Sequence, residues 1–309
     1  MTPVSVLQAA AHLALLLFLP PLLLGVVTRT KSWFSGRRGP GFLQPYRDLA
    51  RLLRKGATFS PTAGAPFRLG PSAGVASALL AGLVVPLVPG AAPLAFRGDF
   101  AVFVYALALG RFVTVLAALD TGSAFEGMGA SREVTFSALA EPALFLGLGV
   151  LLRTTGELSL APALGGALGP AWAGQGLALG LAAVSLFLVF LAENCRIPVD
   201  DPTTHLELTM IHEVMVLDHS GPDFAFILYG ASVKFVVLGA LLVNLVLPGP
   251  ARGLAWWGGL AAVAAGLVAL AAAVGVVESA MARLRLNRVP VYLAAAIAFP
   301  ALGLALTFA

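Results

Sequence analysis

Eight stretches of this chain are apolar runs of membrane-crossing length, and they constrain its fold more than any other feature. They lie near Val4–Val27, Ser72–Val88, Asp99–Leu119, Val134–Leu152, Gly174–Ala192, Asp223–Leu247, Leu254–Val277 and Val289–Phe308. A helical crossing of the hydrocarbon core needs about 17 to 25 predominantly apolar residues. Barrel strands would alternate apolar and polar side chains, and these runs do not, so helices are the spanning elements that suit them. The chain is 59% hydrophobic and 11% charged over 309 residues, with a mean hydropathy of +0.93, more apolar surface than one soluble core can hide. The expectation is an all-α polytopic membrane protein, a single integral membrane domain over residues 1–309. The first run has no basic region before it and no small-residue cleavage site after it, which predicts a retained helix rather than a signal peptide.

Lys and Arg set the expected orientation. With the N-terminus outside, the inner loops 28–71, 120–133, 193–222 and 278–288 collect most of the basic residues, from Arg29, Lys31, Arg37 and Arg38 to Arg283, Arg285 and Arg288. The outer loops keep only Arg97, Arg153 and Arg252. The positive-inside rule selects this topology in the cell (inner) membrane. It also accounts for the formal net charge of +4, so nucleic-acid binding is not implied.

In the first inner loop, between Gly41 and Lys55, Phe42, Tyr46, Leu49 and Leu53 recur at helical spacing, with Gln44, Arg47, Arg51, Arg54 and Lys55 on the other side. This predicts an amphipathic helix in the membrane interface after the first span. Its apolar face would meet the lipid bilayer or a docked cytoplasmic partner.

The third inner loop is the anomaly of composition. Ala192 to Asp223 hold seven of the chain's fifteen acidic residues and three of its four histidines: Glu193, Asp200, Asp201, Glu207, Glu213, Asp218 and Asp223, with His205, His212 and His219. Asp201-Pro202 resembles an N-cap followed by a first-turn proline. Leu206, Met210, Val214 and Leu217 then keep helical spacing, so a short helix is expected until Ser220-Gly221-Pro222 breaks it. A zinc-protease motif would need a histidine four residues after His212, where Val216 stands, so no metal site is read here.

Ionisable residues inside the spans need a reason, because each costs roughly 2.5 to 3.5 kcal/mol at mid-membrane. At 1.5 Å per residue, Arg111 is about 18 Å into the third span, Lys234 about 16 Å into the sixth and Glu141 about 10 Å from the inner end of the fourth. Pairing of Glu141 with Arg111 or Lys234 would merely join helices; groups at graded depths would instead mark a hydrated ion or proton path. Glu278, at an inner helix end, is expected to be solvated or to pair with Arg283 or Arg285. Cys195 is the single cysteine, so the chain cannot form an internal disulfide or hold a self-contained iron-sulfur cluster, which normally takes four cysteine ligands. Electron chemistry would belong to a partner.

The segment AENCRIPVDDPTTHLELTMIHE, followed by SGPDFAF, resembles the loop between the fifth and sixth helices of the membrane subunit beside the peripheral arm of respiratory complex I. The closer likeness is to its hydrogenase-linked branch, formate hydrogenlyase and other energy-converting membrane-bound nickel-iron (NiFe) hydrogenases. RRGPGFLQPYRDLARLLRK (Arg37 to Lys55), GASREVTFSALAEPALF (Gly129 to Phe145) and ESAMARLRLNRVPVYL (Glu278 to Leu293) agree with it in order. Glu193, Arg196, Pro198, Asp200 and Glu207 match the complex I loop pattern, and Arg132 and Glu141 match its arginine and glutamate. In that family these positions line the quinone cavity and the start of the first proton path. Thr203, Thr204 and His205 replace an acidic run, and the acid expected in the sixth span falls at Ala231, with Lys234 one turn later. These departures favour the hydrogenase-type branch, which works without quinone.

The resemblance implies a non-catalytic membrane anchor and coupling subunit of an ion-translocating oxidoreductase. No cofactor would sit in this chain; the NiFe centre and iron-sulfur clusters would be on a hydrogenase-like large subunit and an iron-sulfur small subunit, beside antiporter-like membrane subunits. Proton-path candidates are Glu141, Glu193, Asp200, Glu207, Glu213, Asp218, Lys234 and Arg111. Arg37, Arg38, Arg132, Arg196, Arg283 and Arg285 are candidates for docking the peripheral arm. The alternatives are a quinone-site subunit of complex I and a stand-alone secondary transporter, the latter expected to show internal inverted repeats, which are not evident.

Overall fold

The computed structural model describes residues 6–201, 209–247 and 255–308. The helices run α1 (Val6–Phe34), α2 (Gln44–Leu53), α3 (Ala65–Val84), α4 (Asp99–Asp120), α5 (Ala124–Thr155), α6 (Leu160–Ala163), α7 (Leu168–Glu193), α8 (Gly221–Val246), α9 (Trp256–Ala280) and α10 (Val289–Leu306). Among the described residues eight helices are long and apolar enough to cross a membrane, in the order expected from the apolar runs, and no strand is present beyond one isolated bridge between Val88 and Ala91.

Burial is uneven in a way that positions the site. In α8, 61% of the most apolar window is buried, against 28% for α9 and for the last span, so α8 is the central post and the outer helices face lipid. It packs against α3, α1, α9 and α7, and α5 packs against α7 and α10. Phe103, Phe190, Phe235, Leu148 and Leu151 fill the space between them with essentially no exposed surface. Burying a side chain of this kind contributes about 1.5–3 kcal/mol against water, but lipid is as apolar as leucine, so interhelical packing and polar ties matter more here.

Helix α1 carries Pro20 and Pro21 in its interior. Pro21 lacks the N–H that would bond the Leu17 carbonyl. The Tyr229 hydroxyl of α8 donates to that carbonyl at 2.9 Å, and the Tyr46 hydroxyl of α2 donates to the neighbouring Phe18 carbonyl. The amphipathic helix is therefore docked on α1 and α8 as well as facing outward. Gly25 makes the approach possible, since a Cβ there would lie 2.1 Å from the Phe42 carbonyl oxygen.

Two boundaries differ from the expected ones. α5 begins at Ala124, ten residues before the predicted Val134; Ser123 and Glu126 carry the S-x-x-E pattern of a helix start, although no side-chain cap hydrogen bond forms and Glu126 instead accepts the Asp218 N–H. Of the helix expected up to Leu217, residues 202–208 lie outside the described residues, and the described part is extended or turn-like except for one 3-10 turn at Glu213–Val216. That turn sits directly on α5, where a Cβ on Gly129 would come within 2.4 Å of Val214. Close backbone packing onto α5 replaces the regular helix suggested by the spacing of Leu206, Met210, Val214 and Leu217.

Candidate functional site

Arg111 is the hub of the loop end of the bundle. Its three guanidinium nitrogens face three carboxylates from two other helices: Nε to Glu133 of α5 at 3.3 Å, Nη1 to Glu141 of α5, and Nη2 to Glu193 at the last residue of α7. Lys234 of α8 stands 3.7 Å from the other oxygen of Glu193. A planar guanidinium suits this task, since its donors diverge in fixed directions. Three carboxylates against two cations leave one formal negative charge, in a cluster where the Glu193 side chain is 5% exposed and that of Arg111 10%.

Glu141, Arg111 and Lys234 are thus gathered in one place, although their sequence positions suggested graded depths. The packing of α4, α5 and α8 around the end of α7 brings them together. Glu133 escapes the sequence reading because it falls in a loop if the span begins at Val134. The S-x-x-E signature at Ser123 is the signal that places it on the helix, two turns before Glu141.

A cavity opens beside the hub, with about 730 Å³ of space when the solvent at its mouth is included. Its walls are apolar and small, among them Gly70 and Gly74 of α3, Gly110 of α4, and Gly230 and Ala231 of α8; its polar end is Arg111, Glu133, His212, His219 and Lys234. A Cβ at Gly74 would stand in open space, whereas at Gly70, Gly110 and Gly230 it would press on Ala117, Ser77 and Val75, so those three glycines let α3, α4 and α8 come close together around the cavity. His219 is stacked on Phe67, with ring centroids 4.0 Å apart, and burial pushes its pKa down to about 4. Burial also holds the His212 pKa below the ordinary value. Both imidazoles are neutral at pH 7, and the Nδ1 atoms of both are buried without a hydrogen-bond partner among the described residues.

A second, smaller cavity of about 360 Å³ lies under the loop, lined by Glu133, Glu193, Cys195, Asp200 and Ile211 among others. Cys195 is buried, which pushes its thiol pKa well up.

The other predicted groups separate from the hub. Asp200, 1% exposed, pairs with Arg283 at 2.9 Å and accepts the N–H groups of Ile211 and His212 at 3.1 Å each, so it pins the loop over the cavity. Glu213 opens the 3-10 turn, and Asp218 is exposed, its backbone N–H donating to buried Glu126 at 3.0 Å. Glu207 and His205 lie outside the described residues. Of the docking candidates, Arg132 donates to the Met210 carbonyl at 2.7 Å, Arg196 lies over the Phe235 ring and 3.4 Å from Glu278, and Arg283 is held by Asp200. Arg37, Arg38 and Arg285 are exposed.

Glu278 corrects the expectation of a solvated helix end or a pair with Arg283 or Arg285. Its side chain is fully buried between Lys31 at 2.8 Å and Arg196 at 3.4 Å. The α9 terminus turns inward against α1 here, where Gly275 allows close contact with Thr30, so Glu278 faces protein rather than water.

Comparison with known proteins agrees with this architecture. The family model described as NADH dehydrogenase matches residues 7–308. Hydrogenase-4 component C of Escherichia coli is 35% identical over 243 residues, 79% of this chain and 76% of that protein. Formate hydrogenlyase subunit 4 of Escherichia coli is 31% identical over 299 residues, 93% of each chain. A chain of the membrane-bound sulfane sulfur reductase, an archaeal respiratory membrane complex, superposes with a TM-score of 0.79 at 19% identity, covering 96% of this chain and 98% of its own, and so shares the fold.

Proposed function

Because this chain belongs to the NADH dehydrogenase family, with relatives in hydrogenase-type membrane complexes, we propose that it is the membrane anchor and coupling subunit of an ion-translocating oxidoreductase of the hydrogenase or formate hydrogenlyase type. The observation that carries this reading is the Arg111 hub, an ionisable cluster with one uncompensated negative charge placed between two cavities. Intramembrane ionisable groups of this kind mark ion and proton pathways.

The partners are a NiFe-hydrogenase-like large subunit and an iron-sulfur small subunit on the cytoplasmic side, with antiporter-like subunits alongside in the inner membrane. Positive-inside counting puts the loop end of the bundle in the cytoplasm and the N-terminus outside. The redox centres reside on those partners, whose electron transfer changes the electric field over His212, Glu133 and Glu193. The cluster answers by taking up or releasing a proton. Glu141 is its outlet, since its side chain is 37% exposed against 14% for Glu133 and 5% for Glu193. Arg37, Arg38 and Arg285 are free to pair with acidic groups of the peripheral arm, whereas Arg132, Arg196 and Arg283 brace the loop on which that arm rests.

In the intact complex, Glu141→Gln is expected to abolish ion pumping while electron transfer continues at a reduced or unchanged rate. Pumping at the normal ratio of ions to electrons would remove Glu141 from the path and, with it, this role for the hub.

A second reading is supported by the large cavity: small apolar walls with a charged end suit an amphiphile with a polar head, such as a quinone. Photolabelling with a quinone analogue that marks His212 or Lys234 would favour it, and labelling confined to lipid-facing residues would exclude it.

A further inference from the structure

Glu133 is the side chain that borders both cavities among the described residues. On one side it meets the space containing His212 and Lys234, and on the other the space under the loop containing Cys195 and Asp200. Arg111, beside it in the lining of the large cavity, cannot release its proton.

Its hold on Arg111 differs from that of the other two carboxylates. Glu141 and Glu193 each accept a hydrogen bond from a terminal guanidinium nitrogen. Glu133 is opposite Nε at 3.3 Å, and that Nε makes no hydrogen bond. It is therefore tied by charge alone. A glutamate has three side-chain torsions, so its carboxylate can turn about a fixed α5 backbone from one cavity to the other without dismantling the remaining pairs.

Resting on the coupling role argued above, we propose that Glu133 is the proton-exchange group joining the two cavities, the position at which a proton crosses from the large cavity to the space beneath the loop. The step is a pure proton transfer. A protonated water in the large cavity gives H⁺ to a Glu133 oxygen, forming an O–H bond. The side chain turns, and the same O–H bond breaks as a water under the loop accepts the proton. No electron moves and no other covalent bond changes. Both cavities carry polar groups in mostly apolar linings and have room for water molecules. While Glu133 carries the proton, the cluster is neutral: Glu141 and Glu193 then balance Arg111 and Lys234.

The test uses the assembled complex in proteoliposomes, with protons moved per electron as one readout and redox-induced infrared difference spectra as the other. A positioned proton-transfer group contributes about 10²–10⁴ in rate, so Glu133→Gln is expected to slow proton translocation by about 100-fold. Glu133→Asp, which keeps the carboxyl group, should retain most of it. The wild-type complex should show a carboxylic C=O band on redox cycling that disappears in Glu133→Gln and persists in Glu141→Gln. A merely structural counter-ion to Arg111 would leave that band in place. If the Gln variant does not assemble, the Asp variant carries the test: a displaced band supports the proposal, and an unmoved band overturns it. Normal pumping in Glu133→Gln beside lost pumping in Glu141→Gln sinks this proposal alone; normal pumping in both sinks the coupling role beneath it.

Discussion

At the end of the bundle away from the loop, Asp99 is completely buried, and its oxygens are met by donors in fixed positions: the Ser159 hydroxyl at 2.5 Å, the Leu160 N–H at 2.8 Å and the Phe96 N–H at 3.3 Å. No cavity among those described adjoins it. At the loop end, Glu133, Glu141 and Glu193 share one guanidinium and one ammonium, and cavities border the group on two sides. Backbone donors cannot leave, so Asp99 is a staple with one arrangement. A shared guanidinium leaves carboxylate lone pairs over and lets protonation change the balance. Burial of a carboxylate does not distinguish a structural role from a functional one; the character of its partners does.

That contrast can be broken experimentally. The largest effect is expected from Arg111→Met, which leaves three carboxylates without their common cation; removing one member of a buried ionic group costs about 3–5 kcal/mol. Chemical unfolding in detergent should show that loss together with lost pumping. An assembled, stable Arg111→Met subunit that still pumps would erase the distinction between hub and staple.

Next comes the pH response of the loop end. His219 has a folded pKa of about 4 against an ordinary 6.5, so the unfolded state binds the proton more readily. The corresponding stability, up to about 3 kcal/mol, is fully present above pH 6.5 and is lost as pH falls from there toward 4. Thermal denaturation of the subunit between pH 7 and pH 5 should show the decline, and His219→Phe, which preserves the stack on Phe67, should flatten it. An equally steep decline in the variant would assign the response to another group.

A smaller change, about 1–3 kcal/mol, is expected for Asp99→Ala, which strands buried donors while the ratio of protons to electrons in surviving complexes stays normal. An altered ratio would mean that the two ends communicate. The smallest is Tyr229→Phe, with about 0.5–1.5 kcal/mol lost as the Leu17 carbonyl gives up its donor, read from the midpoint of detergent-phase unfolding.

Much of the site is legible in the sequence alone. Glu141, Arg111, Lys234 and Glu193 stand out because charges in apolar runs are costly, and the loop from Ala192 to Asp223 stands out by composition. Glu133 and Glu278 were not legible. The first depends on where α5 begins, which the apolar pattern placed ten residues late. The second depends on α9 leaning against α1, a contact between residues far apart in the chain. The cavity was equally hidden, since small residues at Gly70, Gly110 and Gly230 acquire meaning only when three helices bring them together.

The sequence by itself determined the eight crossings and their order, because length and hydropathy decide what lipid can dissolve. It also determined the family, and that redox cofactors needing several cysteines cannot reside here. Tertiary structure alone decided which charges meet. Along the chain Arg111, Glu133, Glu141, Glu193 and Lys234 belong to four helices at apparently different depths; the packing of those helices brings their side chains within ion-pair distance. Coulomb energies depend on distance through space, and spacing along the chain does not set that distance between separate helices.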